Sequence, residues 1–285
     1  VPFFILAATF MTTGGVAKRM IVFANALVGH FRGGLAMASL LACAFFAAVS
    51  GSAPATVVAV GSVMIAGMVR SGYSEKFAAG VICNAGTLGI LIPPSIVMVI
   101  YGAVTESSIG NLFIAGLLPG VLLTIVMMVT VAVIARHQDL PRQPRVSVKD
   151  ALKAGWEAIW GLLLLVIILG GIYAGIFTPT EAAAVSAVYA FLVAVFIYKD
   201  IKLADVPKVL TDSAKTTAML MFIIANAYVF ANVLTTEQIP QAASEWITSL
   251  GLPPWGFLIV LNILLLAAGN FMEPTSVVLI LTPIV

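Results

Sequence analysis

The sequence predicts an all-α polytopic membrane protein made of inverted-topology repeats, with discontinuous helices and re-entrant hairpins. Three observations predict it. Of 285 residues, 61% are hydrophobic and only 9% charged, against about 25% charged in soluble domains. Uncharged runs cover Gly33 to Val69, Phe77 to Thr105, Ser107 to Ala135, Ala158 to Thr180, Thr216 to Thr236 and Trp246 to Met272. Each reaches the roughly 20 residues a helix needs to cross about 30 Å of hydrocarbon. Glycines and prolines then interrupt several of these runs, as in "GTLGILIPPS" at 86–95. A soluble core could not bury all of these runs and keep a wettable surface.

The elements follow in order. The apolar opening predicts a helix over 2–13. The run from Gly33 predicts 35–49 and, beyond the polar stretch "SGSAPAT", a second helix over 56–69. Ser74 with Phe77 beyond it starts 76–90, and the paired prolines divide that helix from 94–104. The next runs predict 112–135 and 156–177. Thr180 reads as the N-cap of 180–198, with Glu181 in its first turn as a structural carboxylate. Helices over 215–235, 255–268 and 275–285 complete the chain. Segments 56–69, 94–104 and 275–285 are too short to cross alone. Protein must shelter them, because lipid-exposed nonhelical backbone is not tolerated.

Several function classes drop out. A net charge of +2 with no long basic stripe does not suit nucleic acid. Cys43 and Cys83 sit in apolar runs as small core residues, and His30 and His137 form no metal-spacing cluster. No HExxH, GxSxG, paired-aspartate or GxxxxGK[ST] pattern marks an enzyme or a nucleotide site. Both termini are apolar, so the chain reads as part of a longer protein.

Charge sets the orientation. The connector 136–153 holds Arg136, Arg142, Arg145, Lys149 and Lys153 against Asp139 and Asp150, so it should be cytoplasmic. Segment 199–215, with Lys199, Lys202, Lys208 and Lys215, returns to the same side two crossings later. Its Leu203, Val206, Val209 and Leu210 suit either an amphipathic bracket on the interface or an ordinary loop helix. One further crossing reaches Glu237 and Glu245 without any Lys or Arg, which suits the outer face. Trp156, Trp246 and Trp255 fall at expected interfaces.

Sliding the chain by about 220 residues places "VSGSAPATVVAVG" (49–61) on "GNFMEPTSVVLIL" (269–281), with Pro54 over Pro274, Val57 over Val277 and Val58 over Val278. Lys18, Arg19 and Arg32 in the first copy correspond to a second copy with Glu237, Glu245 and no basic residue. Matching segments that face opposite sides are the mark of inverted repeats.

Three polar breaks are the candidate site. The first offers Ser50, Gly51, Ser52 and Thr56; the second, from Asn84 to Ser95, offers Asn84, Gly86, Thr87, Gly89, Pro93 and Ser95; the third offers Gly269, Asn270, Glu273, Thr275 and Ser276. A broken helix frees backbone N–H and C=O groups. Carbonyl ends attract a cation, and N-termini attract a carboxylate. A packing kink is the plainer reading of any one break. Glu273 can cap the helix from Pro274, coordinate a cation or carry a proton. Glu106 can cap the next helix or face a translocation route.

Long ordered motifs, "VSGSAPATVVAVGSVMI", "GYSEKFAAGVICNAGTLGILIPPSIVMVIYG", "SIGNLFIAGLLPG", "FTPTEAAAVSAVYAF" and "FMEPTSVVLILTPI", closely resemble the large membrane subunit of TRAP transporters, the tripartite ATP-independent periplasmic carriers. The resemblance implies a multi-pass subunit of a bacterial or archaeal inner-membrane symporter driven by a sodium gradient, not an enzyme. It would import small organic acids such as C4-dicarboxylates or sialic acid by an elevator mechanism. Its partners would be a small membrane subunit and a periplasmic substrate-binding protein. The implied organisation is a first repeat over 1–135, mostly transport domain with the first hairpin. A cytoplasmic basic connector over 136–155 follows, then scaffold helices and an amphipathic arm over 156–214. The start of a second repeat over 215–285 is truncated in its second hairpin. Na+ is expected near Ser52, Asn84, Gly89 and Asn270. Members often carry an acidic residue just after the first "SGS-A", where this chain has Pro54, Ala55 and Thr56. The different-class alternative is a channel or a passive structural membrane subunit.

Overall fold

A computed structural model describes residues 1–138, 140–238, 241, 245 and 253–282. Every described element is helical: α1 (Pro2–Thr13), α2 (Val16–Val28), α3 (Gly34–Ser50), α4 (Ala53–Arg70), α5 (Glu75–Gly86), α6 (Leu88–Leu91), α7 (Ile96–Val104), α8 (Ile109–His137), α9 (Val148–Tyr173), α10 (Pro179–Leu192) with a π-helical extension Val193–Ile197, α11 (Val206–Thr236), α12 (Pro254–Gly269) and α13 (Pro274–Leu281). Among the described residues, five helices are long and apolar enough to cross a membrane, or up to seven if each of two bent pairs is one span. The protein is an all-α, multi-pass membrane protein.

The chain divides into two compact units, Val1–Met98 with Ser108–Ala214, and Val99–Ser107 with Lys215–Val285. In the first, α3 is the central element. Its residues Ala36, Ala38, Leu40, Ala42, Cys43, Phe46 and Ala47 are all essentially inaccessible, as expected of a helix apolar on every side. Helices α3 and α4 form an antiparallel hairpin. Near its open end Ser39 Oγ meets Met68 Sδ at 3.8 Å, and at its tip Ser50 Oγ lies 2.9 Å from Thr56 Oγ1. Helix α8 supports the neighbouring break through a small-residue shelf. A Cβ on Gly116 would stand 2.7 Å from the Leu91 carbonyl oxygen, and one on Gly120 2.7 Å from Ile92 Cγ1. Glycines four apart let backbones approach this closely.

Several sequence expectations are corrected. Helix α2 was not anticipated: Lys18 and Arg19 interrupt the apolar run, and Gly14 and Gly15 precede it. Lys18 is exposed, while Arg19 is partnered. The Arg19 guanidinium pairs with Asp200 and lies 3.8 Å above the Tyr198 ring. Together α1 and α2 form a pair bent by 66° at Gly14 and Gly15. Helix α9 starts at Val148 instead of 156, because Lys149, Asp150 and Lys153 fit a solvated first turn. Trp156 is therefore within α9, and 68% exposed.

Thr178, not Thr180, caps α10, in a capping box whose other half is Glu181. Segment 199–215 holds a 3-10 turn at Leu203–Asp205 followed by the start of α11 at Val206. Glu106 does not cap α8; that role falls to Ser108, whose Oγ accepts from Asn111 N at 3.4 Å. Ser74 caps α5 as expected, accepting from Phe77 N at 3.3 Å. Trp246 and most of the expected outer connector lie outside the described residues.

In the second unit, α12 and α13 follow one another across the break at 270–273. A cavity of about 470 Å³ is lined by Tyr101, Thr105, Leu261, Leu265, Val277 and Thr282.

Candidate functional site

The first two polar breaks meet. Gly51, left-handed at φ 61°, ends α3 and turns the chain so that extended Ser52 caps α4. Glycine adopts that conformation without penalty. The turn points the Gly51 carbonyl at the second break, where Ile96 N–H donates to it at 3.1 Å. A Cβ on Gly51 would stand 2.3 Å from the Pro94 carbonyl oxygen. On the other side, a Cβ on Gly89 would lie 2.5 Å from the Ser52 carbonyl oxygen. The hairpin tip is thus wedged into the bend between α6 and α7, with backbone against backbone.

Neutral oxygens crowd this junction. Thr56 Oγ1 donates to the Ser52 carbonyl at 2.8 Å, and Thr56 N donates to the same oxygen at 3.1 Å. Ser50 Oγ lies 3.4 Å from that carbonyl as well. Ser50, Thr56 and Ser95 are 2%, 0% and 1% exposed, so these polar groups are sheltered in the protein interior. Ser95 Oγ accepts from Met98 N at 3.4 Å and so opens α7. Pro93 and Gly86 are buried in the same wall, and a Cβ on Gly86 would meet Val57 Cγ2 at 2.2 Å.

Two predicted residues sit apart. Asn84 Nδ2 folds back to the Gly80 carbonyl at 2.8 Å, and the residue lines a cleft with Lys76, Phe77 and Val131. Thr87 is exposed, its Oγ1 donating to the Asn84 carbonyl at 2.7 Å. Conversely, Pro94 and Ile96 were not singled out, yet both meet Gly51 at the tip. The signal available for them was their position directly after the break.

The third break is built by different chemistry. Asn270 ends α12, its Nδ2 donating to the Leu266 carbonyl at 2.7 Å. Glu273 caps α13: Oε2 accepts from Thr275 N at 3.1 Å and Ser276 N at 3.3 Å, while Oε1 accepts from Thr275 Oγ1 at 2.7 Å. Of the three roles open to Glu273, capping is the one this geometry shows. Gly269, Asn270 and Glu273 are exposed and Thr275 is buried.

Apolar spans interrupted by sheltered polar breaks are the architecture of a multi-pass membrane permease component. The whole chain, residues 1–285, matches the family described as "Tripartite ATP-independent periplasmic transporter, DctM component", and it belongs to that family. It is 65% identical over 284 residues to the C4-dicarboxylate TRAP transporter large permease protein DctM of Pseudomonas aeruginosa, covering 100% of this chain and 66% of that protein. The protein of the same name in Vibrio cholerae is 58% identical over 305 residues, covering 100% and 67%. The ectoine TRAP transporter large permease protein TeaC of Halomonas elongata is 40% identical over 284 residues, covering 100% and 66%. The chain thus spans about two thirds of the length of these relatives.

Proposed function

We propose that the protein is the large membrane subunit of a sodium-coupled symporter importing a C4-dicarboxylate or similar small organic acid, in the inner membrane of its cell. It would act with a small membrane subunit and a periplasmic substrate-binding protein. Support for the substrate class comes from the relatives above 50% identity, whose names specify C4-dicarboxylates, whereas those near 40% carry other substrates in their names.

The single observation that carries the reading is the docking of the α3–α4 tip into the bend between α6 and α7. Sodium is a hard cation that takes neutral hydroxyl and carbonyl oxygens, and the oxygens of Ser50, Ser52 and Thr56 beside Gly89 supply that chemistry. These residues would hold the ion, with the exposed ends of the broken helices answering a carboxylate. Asn84 stays outside this set, turned into the cleft beside Lys76 and Phe77; in the second unit Asn270 would offer its amide oxygen to an ion there, since its amide nitrogen already donates to the Leu266 carbonyl. The hairpin 34–70 is re-entrant in this reading, with both ends cytoplasmic, and 269–281 begins its inverted counterpart. The first repeat then carries most of a moving transport domain, with 156–214 as scaffold. No ATP site is required, because one elementary charge gains about 2.3 kcal/mol per 100 mV.

The test is uptake of a radiolabelled C4-dicarboxylate into proteoliposomes holding the full-length chain and both partners. Symport requires an inward sodium gradient and gives carrier-like turnover. Uptake without any ion gradient, or conductance far above carrier rates, would replace this reading with a channel.

A further inference from the structure

The turn between α2 and α3 and the segment after α8 enclose a cavity of about 480 Å³ lined by His30, Arg32, Arg136, Arg142 and Arg145 beside Met37. Among the described residues no acidic side chain lines it. The backbone that carries Arg142 and Arg145 is held by the fold. Gln143 N–H donates to the Gly29 carbonyl at 3.2 Å, and Tyr73 Oη donates to the Pro141 carbonyl at 3.3 Å, so the segment carrying Arg142 and Arg145 is fastened at two points. Gly33, left-handed at φ 70°, brings the start of α3 against Ala135 at the end of α8. Guanidinium forks match phosphate oxygens, and Arg136, Arg142 and Arg145 bring three of them to one concavity.

A second cavity, of about 750 Å³, shares His30 and Arg145 with the first. It extends along α2 and α9 between Phe23, Leu27, Leu152, Trp156 and Ile159. Leu152 and Trp156 are 70% and 68% exposed. A basic pocket continuous with an apolar groove has the form of an amphiphile with one anionic end. The basic end is the cytoplasmic one by the distribution of Lys and Arg, where anionic headgroups are met.

We propose that this end of the protein binds an anionic glycerophospholipid, its phosphate among Arg136, Arg142 and Arg145 and one acyl chain along Phe23, Leu152 and Trp156. The lipid joins the ends of α2, α8 and α9. The site is separate from the polar breaks, and its test does not depend on transport.

Full-length protein purified in neutral detergent is titrated with phosphatidylglycerol, with phosphatidylcholine of the same acyl chains, and with glycerol phosphate as the headgroup alone. Bound adducts are read by native mass spectrometry. Phosphatidylglycerol is retained in preference to both others. The R142Q/R145Q protein loses roughly 30-fold in phosphatidylglycerol affinity, and W156S, at an exposed position, weakens it several-fold without affecting folding. Equal retention of phosphatidylcholine, equal binding of glycerol phosphate, or unchanged affinity in W156S would each overturn the proposal. If R142Q/R145Q fails to fold, the lipid comparison and W156S decide it.

Discussion

The Gly51 carbonyl accepts the Ile96 amide at 3.1 Å, joining two helix breaks that are 45 residues apart in the chain. Around that bond the Gly51 turn and Gly89 bring backbone onto backbone with no room for a side chain.

Gly89→Ala places a Cβ 2.5 Å from the Ser52 carbonyl oxygen. Neither side is a flexible side chain, so the tip must withdraw, at a cost of about 1–3 kcal/mol. Thermal unfolding in detergent should show lower stability, and uptake should fall sharply. Gly67→Ala is the control. Nothing lies within 4 Å of a Cβ there, and replacing a mid-helix glycine should gain about 0.5–1 kcal/mol with uptake unchanged.

Ser52→Leu and Asn270→Leu should each abolish sodium-stimulated uptake while the protein still inserts in membranes, read by fractionation alongside transport. Sodium dependence that survives either change removes that residue from sodium coupling.

Glu273 engages both carboxylate oxygens in capping α13. Glu273→Gln keeps one acceptor and should retain uptake within several-fold, with an unaltered pH profile. Glu273→Ala loses the cap, worth about 1 kcal/mol, and should lower stability. A dead but well-folded Gln variant would instead mark Glu273 as a proton carrier.

Tyr73 and Pro141 are hydrogen-bonded at 3.3 Å, so the turn after α4 and the connector after α8 share one side. In a background lacking Cys43 and Cys83, cysteines at Ser71 and Gln143 should react with an impermeant maleimide only from the cytoplasm. One at Ile176 should react only from outside. Labelling of Ser71→Cys from outside would show that α3 and α4 do not form a re-entrant hairpin.

Much of this was legible in the sequence, for identifiable reasons. Gly51, Pro54, Pro93 and Pro274 mark breaks because their backbone chemistry is local, and the helices resume where a first-turn proline permits. Helix α2 was hidden because Lys18 and Arg19 read as a loop; only the distant Asp200 and Tyr198 make that face compatible with packing. The start of α9 was missed for the same reason, since solvated charges and helical backbone coexist. The direction of Asn84 could not be read, because its choice between the break and the Gly80 carbonyl depends on the packing around α5. That Gly51 meets Pro94 and Ile96 is a long-range fact, visible beforehand only as two breaks with matching glycines.

Binding of radioactive sodium to purified full-length protein, compared between the natural chain and Gly89→Val, tests the central claim most directly. The account predicts saturable binding in the natural chain and its loss in Gly89→Val, with Gly67→Ala binding normally. Equal sodium binding by a folded Gly89→Val protein would contradict it.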